Sequence, residues 1–199
     1  MADATTTGRL IVLSGPSGVG KTTLCQRALE QIPARLSISA TTRKPRRNEV
    51  DGVNYYFLTD EEFARRLEAD EFLESAVVFG NRYGTPAGPV RTALESGQTV
   101  LLEIDVQGGL QVRKRRPEAL TIFILPPSLE AWRESLRSRL TQRGMDVPAD
   151  VERRLSEAAA EIKLARDSGA YDHFVVNDDL ETAVRQLVAL IRKELAKHD

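Results

Sequence analysis

The sequence predicts an α/β fold of three layers, with helices on both faces of a central parallel sheet. Two observations carry that prediction. Short apolar runs recur along the chain with helical patterns between them, and the first run leads straight into a glycine-rich loop followed by a helix. The bulk properties agree. At 199 residues, with 41% hydrophobic and 29% charged residues, the chain suits one globular domain with a substantial core. Lys+Arg 28 against Asp+Glu 29 gives a net charge of -1, so no global basic field recruits nucleic acid, and anion binding must come from local arginine clusters. The single cysteine, Cys25, permits no internal disulfide, and MADATTTG lacks the apolar core of a signal peptide. No run is long enough for a membrane span, and the expected setting is the cytoplasm.

Residues 9–14 (RLIVLS) form the first apolar strand, and a helical pattern follows the loop through about Ile32. The runs TVLLEI (99–104), LTIFIL (120–125) and HFVV (173–176) read as further buried strands. Helical stretches lie between and after them at about 86–96, 106–115, 128–140 and 179–197, the last with Leu180, Val184, Leu187, Leu190 and Ile191 on one face. Two regions break the rhythm. Residues 36–83 carry short polar-alternating segments that suit a small mixed sheet built on antiparallel pairing, not βαβ units. Residues 137–156 are arginine-rich, contain Gly144 and Pro148, and read as a mobile helical hairpin. The expected organisation is a single domain. Its core spans about 9–35, 86–136 and 157–199, with an insertion at about 36–85 and a lid at about 137–156.

Gly15-Pro16-Ser17-Gly18-Val19-Gly20-Lys21-Thr22, with Thr23 behind it, matches GxxxxGK[ST] at every fixed position. Glycines let the backbone wrap a phosphate so that N–H groups point inward, and the helix N-terminus adds its dipole. Lys21 is expected to reach the β- and γ-phosphates of a nucleoside triphosphate, and Thr22 to offer its hydroxyl to Mg²⁺. The strand before and the helix after are the context the motif requires, so the fold is of the P-loop NTPase type. Arg43 and Arg46 sit three apart around a stiffening proline, a spacing at which two guanidinium forks can hold one phosphate. A solvated basic loop is the alternative. One cysteine and two distant histidines, His173 and His198, exclude a structural zinc site and leave no histidine near the motifs to carry a phosphoryl group.

Read together, GPSGVGKTT, SATTRKPR, EVDGVNYYF, FLESAVVFGNRYGTP, LLEIDVQG and VNDDL resemble guanylate kinases, in order and spacing, over roughly residues 9–191. The resemblance implies transfer of the γ-phosphate of ATP to GMP, with Mg²⁺ as cofactor and small-molecule substrates only. The insertion becomes the GMP-binding region. Arg43, Arg46, Tyr55 and Tyr83 match positions that grip the GMP phosphate, and Ser39, Glu74 and Thr85 match those that read guanine. Guanine presents N1–H beside a 2-amino group and a carboxylate can accept from both, whereas adenine has no such pair. Glu103 and Asp105, at the carboxyl end of an apolar strand, are expected to act on the acceptor side or on Mg²⁺-bound water. The family often has aspartate at the Glu103 position, so the glutamate here is a mild departure, and Asp105 has helix capping as an alternative. By the same resemblance Arg143 and Arg154 are lid arginines that clamp the transferring group, with Lys21 and Arg43 completing the catalytic set. Asn177 matches a position near adenine, or it caps the final helix together with Asp178 or Asp179. Guanylate kinase-like scaffolding domains are the rival class, and they typically lose the phosphate-loop lysine or lid residues that this chain retains.

Overall fold

The computed structural model describes residues 8–78, 80–128, 130–134 and 148–197, the last stretch with side chains from 152 onward. Arg139, Arg143 and the expected lid residues 137–147 lie outside the described residues.

Among the described residues, nine strands form two sheets. The larger has five strands in the order β2-β7-β1-β8-β9, from β1 (Leu10–Ser14), β2 (Ala34–Leu36), β7 (Thr99–Glu103), β8 (Leu120–Leu125) and β9 (His173–Val176). It is the expected central parallel sheet, with β2 beside β7 and β8 beside β9 in parallel register. The strands β1 and β8 are buried at every residue, as near-continuous apolar runs require when both faces are covered. The smaller sheet runs β4-β3-β6-β5, from β3 (Ala40–Thr41), β4 (Tyr56–Phe57), β5 (Phe72–Val78) and β6 (Asn81–Pro86). Its β3–β4 pair is parallel while β3–β6 and β5–β6 are antiparallel, so it is the mixed sheet expected of the insertion.

Among the described residues, six helices have both ends defined: α1 (Lys21–Leu29), α2 (Asp60–Glu68), α3 (Ala87–Glu95), α4 (Val106–Arg115), α5 (Pro148–Asp167) and α6 (Leu180–Leu195). A further helical stretch is described at 130–134, within the expected 128–140 helix. Two elements escaped the sequence reading. The strand β2 is three residues long and mostly exposed, so it carries no apolar run to detect. The helix α2 buries only Phe63 and is largely polar, so no apolar run marks it. Its start was nevertheless written in the chain. Thr59 caps it by accepting from the N–H of Glu62 at 3.1 Å, and Asp60, Glu61 and Glu62 fill the first turn.

Contacts divide the chain into two compact units. The first holds the described residues up to Val12, then Pro33–Glu103 and Gln107–Leu120. Within it Phe63 of α2 stacks on Phe72 of β5 with ring centroids 4.5 Å apart, and Ala40 completes this small core. The second unit holds Leu13–Ile32, Ile104–Val106 and the described residues from Thr121 on. Here α1 buries Leu24, Cys25 and Ala28, while α6 buries Ala183, Val184, Leu187, Val188 and Ile191; of its predicted apolar face, Val184, Leu187 and Ile191 are buried and Leu180 and Leu190 half-buried. Arg27 pairs with Glu181 at 2.9 Å, and Arg192 donates to the carbonyl of Gln31 at 2.7 Å, tying the two helices at their rims.

Candidate functional site

In the second unit the buried β1 ends at Ser14 and the chain turns through Gly15–Gly20 into α1. Two of the glycines are obligatory. Gly15 has φ 157 and a Cβ there would lie 2.7 Å from the carbonyl oxygen of Ile124. Gly20 has φ 95, in the left-handed region, and its Cβ would meet the Asn177 side-chain nitrogen at 2.7 Å. The Lys21 ammonium folds back over the loop, donating to the carbonyls of Gly15 and of Pro16, the latter at 3.1 Å. Thr22 and Thr23 lie exposed on the first turn of α1. Ser14 Oγ donates to the carbonyl of Asp105 at 3.1 Å, which links the end of β1 to the turn after β7.

Asn177 donates through Nδ2 to the carbonyl of Val19 at 2.7 Å. The helix cap that sequence left open between neighbours belongs to Asp179, which accepts from the N–H of Thr182 at 2.9 Å. Asn177 is therefore a strut under the phosphate loop. Arg154 lies half-buried on α5. About two turns further on is Glu161, which sequence reasoning passed over. Its Oε2 is buried with no hydrogen-bond partner among the described residues. Burial pushes its carboxyl up to about 7, with Lys21 pulling it down and Asp105 and Glu157 raising it further. Burial likewise raises the hydroxyl of Tyr171, which donates to the carbonyl of Val106 at 3.3 Å.

The first unit gathers most of the residues expected to face the acceptor. Arg43 presents its Nη1–Nη2 edge to Glu49, at 2.8 and 2.9 Å, in a bidentate pair whose side chains are 15% and 17% exposed. That pair, with the Arg46 backbone N–H donating to Glu49 at 2.8 Å, holds the Glu49 carboxyl below the usual range. The Glu49 bond also raises Arg43, so its charge is permanent. The guanidinium carbon lies 5.3 Å from the Tyr55 ring centroid, and Tyr55 meets Tyr83 edge-on at 6.0 Å. Burial, then the charge of Glu103, raises the Tyr55 hydroxyl. Arg43, Tyr55, Tyr83 and Glu103 thus form one cluster, and the Arg46 side chain stays exposed beside it.

Glu74 is 4% exposed on β5, and the fully buried Thr85 on β6 donates its hydroxyl to Oε1 at 2.6 Å. They are register partners across the antiparallel pair. Ser39 precedes β3, and its carbonyl accepts from Tyr56 N–H at 2.9 Å. Thr41 and Thr42 lock the arginine loop to β6: Thr41 Oγ1 donates to the Arg82 carbonyl at 2.9 Å, and Arg82 N–H donates to Thr42 Oγ1 at 3.1 Å. Glu49 was missed because a lone glutamate in a basic loop has no periodic signature. Its signal was the spacing of six from Arg43, legible only once the loop is folded back.

Residues 7–194 match the family model described as Guanylate kinase. A guanylate kinase of Clostridioides difficile (strain 630) is 47% identical over 191 residues, covering 96% of this chain and 90% of the relative. One of Synechocystis sp. is 50% identical over 188 residues, covering 94% and 95%. Among solved structures, the crystal structure of guanylate kinase from Anaplasma phagocytophilum superposes with a TM-score of 0.76 at 34% identity, covering 95% of this chain and 87% of that one.

Proposed function

The chain belongs to the guanylate kinase family, and we infer from that membership that it transfers the γ-phosphate of ATP to GMP, giving ADP and GDP. The observation that carries the acceptor assignment is the buried Glu74–Thr85 pair. A carboxylate offers only acceptors, and the Thr85 hydroxyl fixes one of its oxygens. Guanine's N1–H and 2-amino group supply two donors side by side, so GMP would satisfy Glu74 and AMP would leave it facing an acceptor. Ser39 is proposed to add a further contact to the base.

The acceptor phosphate is assigned to Arg43, Arg46, Tyr55 and Tyr83. Because Glu49 takes the Nη1–Nη2 edge of Arg43, the fork is held in one orientation before substrate arrives. Such preorganisation lowers the cost of binding a dianion. On the donor side the loop Gly15–Thr23 would cradle ATP phosphates with backbone N–H groups, and Asn177 would support the loop from beneath. Lys21 would leave the carbonyls of Gly15 and Pro16 for the β- and γ-phosphates, a short swing for a flexible side chain. Arg143 and Arg154 are proposed to neutralise the transferring group.

The proposed cofactor is Mg²⁺. Among the described residues no group of three or more His, Cys, Asp or Glu could hold a metal. The ion would keep waters and bind mainly phosphate oxygens, with the Thr22 hydroxyl as protein ligand and Asp105 or Glu103 beyond the waters. When bound, it would neutralise developing charge on the phosphates. The proposed transfer is direct and in line, with no phosphoryl-enzyme. The proposed organisation is one domain with a GMP-binding insertion at about 36–85 and a lid at about 137–156. The proposed setting is the cytoplasm, supported by the buried free thiol of Cys25. Among the described residues no helix is long and apolar enough to cross a membrane.

Isothermal titration of GMP tests the acceptor pocket. Arg43→Ala is expected to weaken GMP about 100-fold while leaving ATP affinity within about two-fold. Unchanged GMP affinity would remove Arg43 from the pocket.

A further inference from the structure

The strand that carries Glu74 is held from outside its sheet. Among the described residues, β5 is an edge strand of the smaller sheet and pairs only with β6. The outward N–H and C=O groups of an edge strand ordinarily go to water. At Ser75 they do not. Gln111 on α4 donates through Nε2 to the carbonyl of Ser75 at 2.7 Å, and Ser75 N–H donates to Gln111 Oε1 at 3.1 Å. The side-chain amide completes the ladder as a neighbouring peptide group would. Four residues on, one helical turn along the same face of α4, Arg115 donates from Nη1 to the carbonyl of Phe72 at 3.0 Å and from Nη2 to Asp70 at 3.0 Å.

The two anchors, at Phe72 and Ser75, bracket Glu74. They also coincide with a defect. The β5–β6 register shifts between Phe72 and Glu74, so the ladder on the inner side is irregular where the carboxylate is mounted. A strand with a bulge can slip or twist there, and displacement of about an ångström is enough to degrade a paired contact. The clamp supplies from α4 the constraint that β6 does not.

We propose that Gln111, with Arg115 as a weaker second anchor, is a positioning residue for base specificity: it fixes β5 so that the Glu74 carboxylate meets both donors of guanine together. This rests on the reading of Glu74 as the guanine reader. Gln111 itself touches no substrate.

The test uses inosine monophosphate, which has guanine's ring without the 2-amino group, so it presents one donor where GMP presents two. The readout is the ratio of kcat/KM for GMP to that for inosine monophosphate, with the KM for ATP alongside. Both values come from one preparation, so the folded fraction cancels and a merely structural role leaves the ratio unmoved. Gln111→Ala removes both bonds. Gln111→Glu keeps the shape and the acceptor but sets a carboxylate against the Ser75 carbonyl. Both are expected to lower the ratio about ten-fold with ATP KM little changed, and Arg115→Ala to lower it less. Glu74→Gln is the reference. If it collapses the ratio while both Gln111 variants keep the wild-type value, the clamp is overturned and the base reading stands. If Glu74→Gln itself keeps the ratio, the base reading fails and the clamp proposal falls with it.

Discussion

At the scale of single residues, the role proposed for Lys21 lies in the chemistry and not in acceptor binding. Its ammonium rests on backbone carbonyls of its own loop, in the second unit, while the acceptor cluster belongs to the first. Lys21→Ala is therefore expected to cut kcat about 100- to 1,000-fold while GMP affinity by titration stays within about two-fold; near-normal turnover would remove its assigned role. Glu161 makes a different prediction. Its folded carboxyl sits at about 7 against an ordinary 4.5, chiefly through burial. The folded state thus holds that proton more tightly than the unfolded one. The resulting stabilisation is complete below 4.5 and is lost as pH rises to about 7. Melting scans should show wild type losing ground to Glu161→Gln between pH 5 and pH 8, and parallel profiles would contradict it. Lys21, Arg43 and Glu74 could be read from motifs because their neighbours in sequence define them. Glu49, Gln111 and Glu161 could not, since each acts on a partner that only the folded chain brings to it, and each resembles any solvated side chain on its own segment.

At the scale of elements, the phosphate loop was legible because strand, glycine run and helix are contiguous, and periodicity changes visibly across them. What supports the loop was not, because Asn177 reaches Val19 across 158 positions of sequence. Gly20→Ala tests that support. A Cβ at φ 95 is strained, and it would push Asn177 off Val19. The expected cost is about 2 kcal/mol of stability, with KM for ATP rising more than KM for GMP. The comparison is Asp179→Ala, which removes only the cap of α6, for about 1 kcal/mol and no change in KM for ATP. Denaturant titration with both Michaelis constants checks the pair, and equal effects of the two variants on ATP would contradict it. The insertion shows the opposite case. Its sheet was legible as alternating polar segments, but α2 was hidden because it is a short, largely polar helix that buries a single phenylalanine.

At the scale of the whole molecule, the order of motifs along the chain carried more than any one of them. The phosphate loop alone fits any triphosphate user. The arginine loop, the Glu74 strand and the YGT segment narrow it to an acceptor with guanine's donors. The structure sorts these motifs by unit: the loop Gly15–Lys21 and Asn177 in one, Arg43, Glu74, Tyr83 and Thr85 in the other. Glu103 and Asp105, adjacent in the sequence argument, fall in different units. Glu103 lies near enough to Tyr55 for its charge to raise that hydroxyl, and the Asp105 carbonyl accepts from Ser14; which of the two would act on the acceptor or on Mg²⁺-bound water stays a proposal. The most direct measurement is a coupled ADP-release assay with ATP and Mg²⁺, offering GMP, AMP, UMP, CMP and dTMP in turn. The expected result is turnover with GMP, and kcat/KM at least about 100-fold lower for each of the others. Comparable turnover with any other monophosphate, or none with GMP, would contradict the account of Glu74 and Thr85 as the base-reading pair.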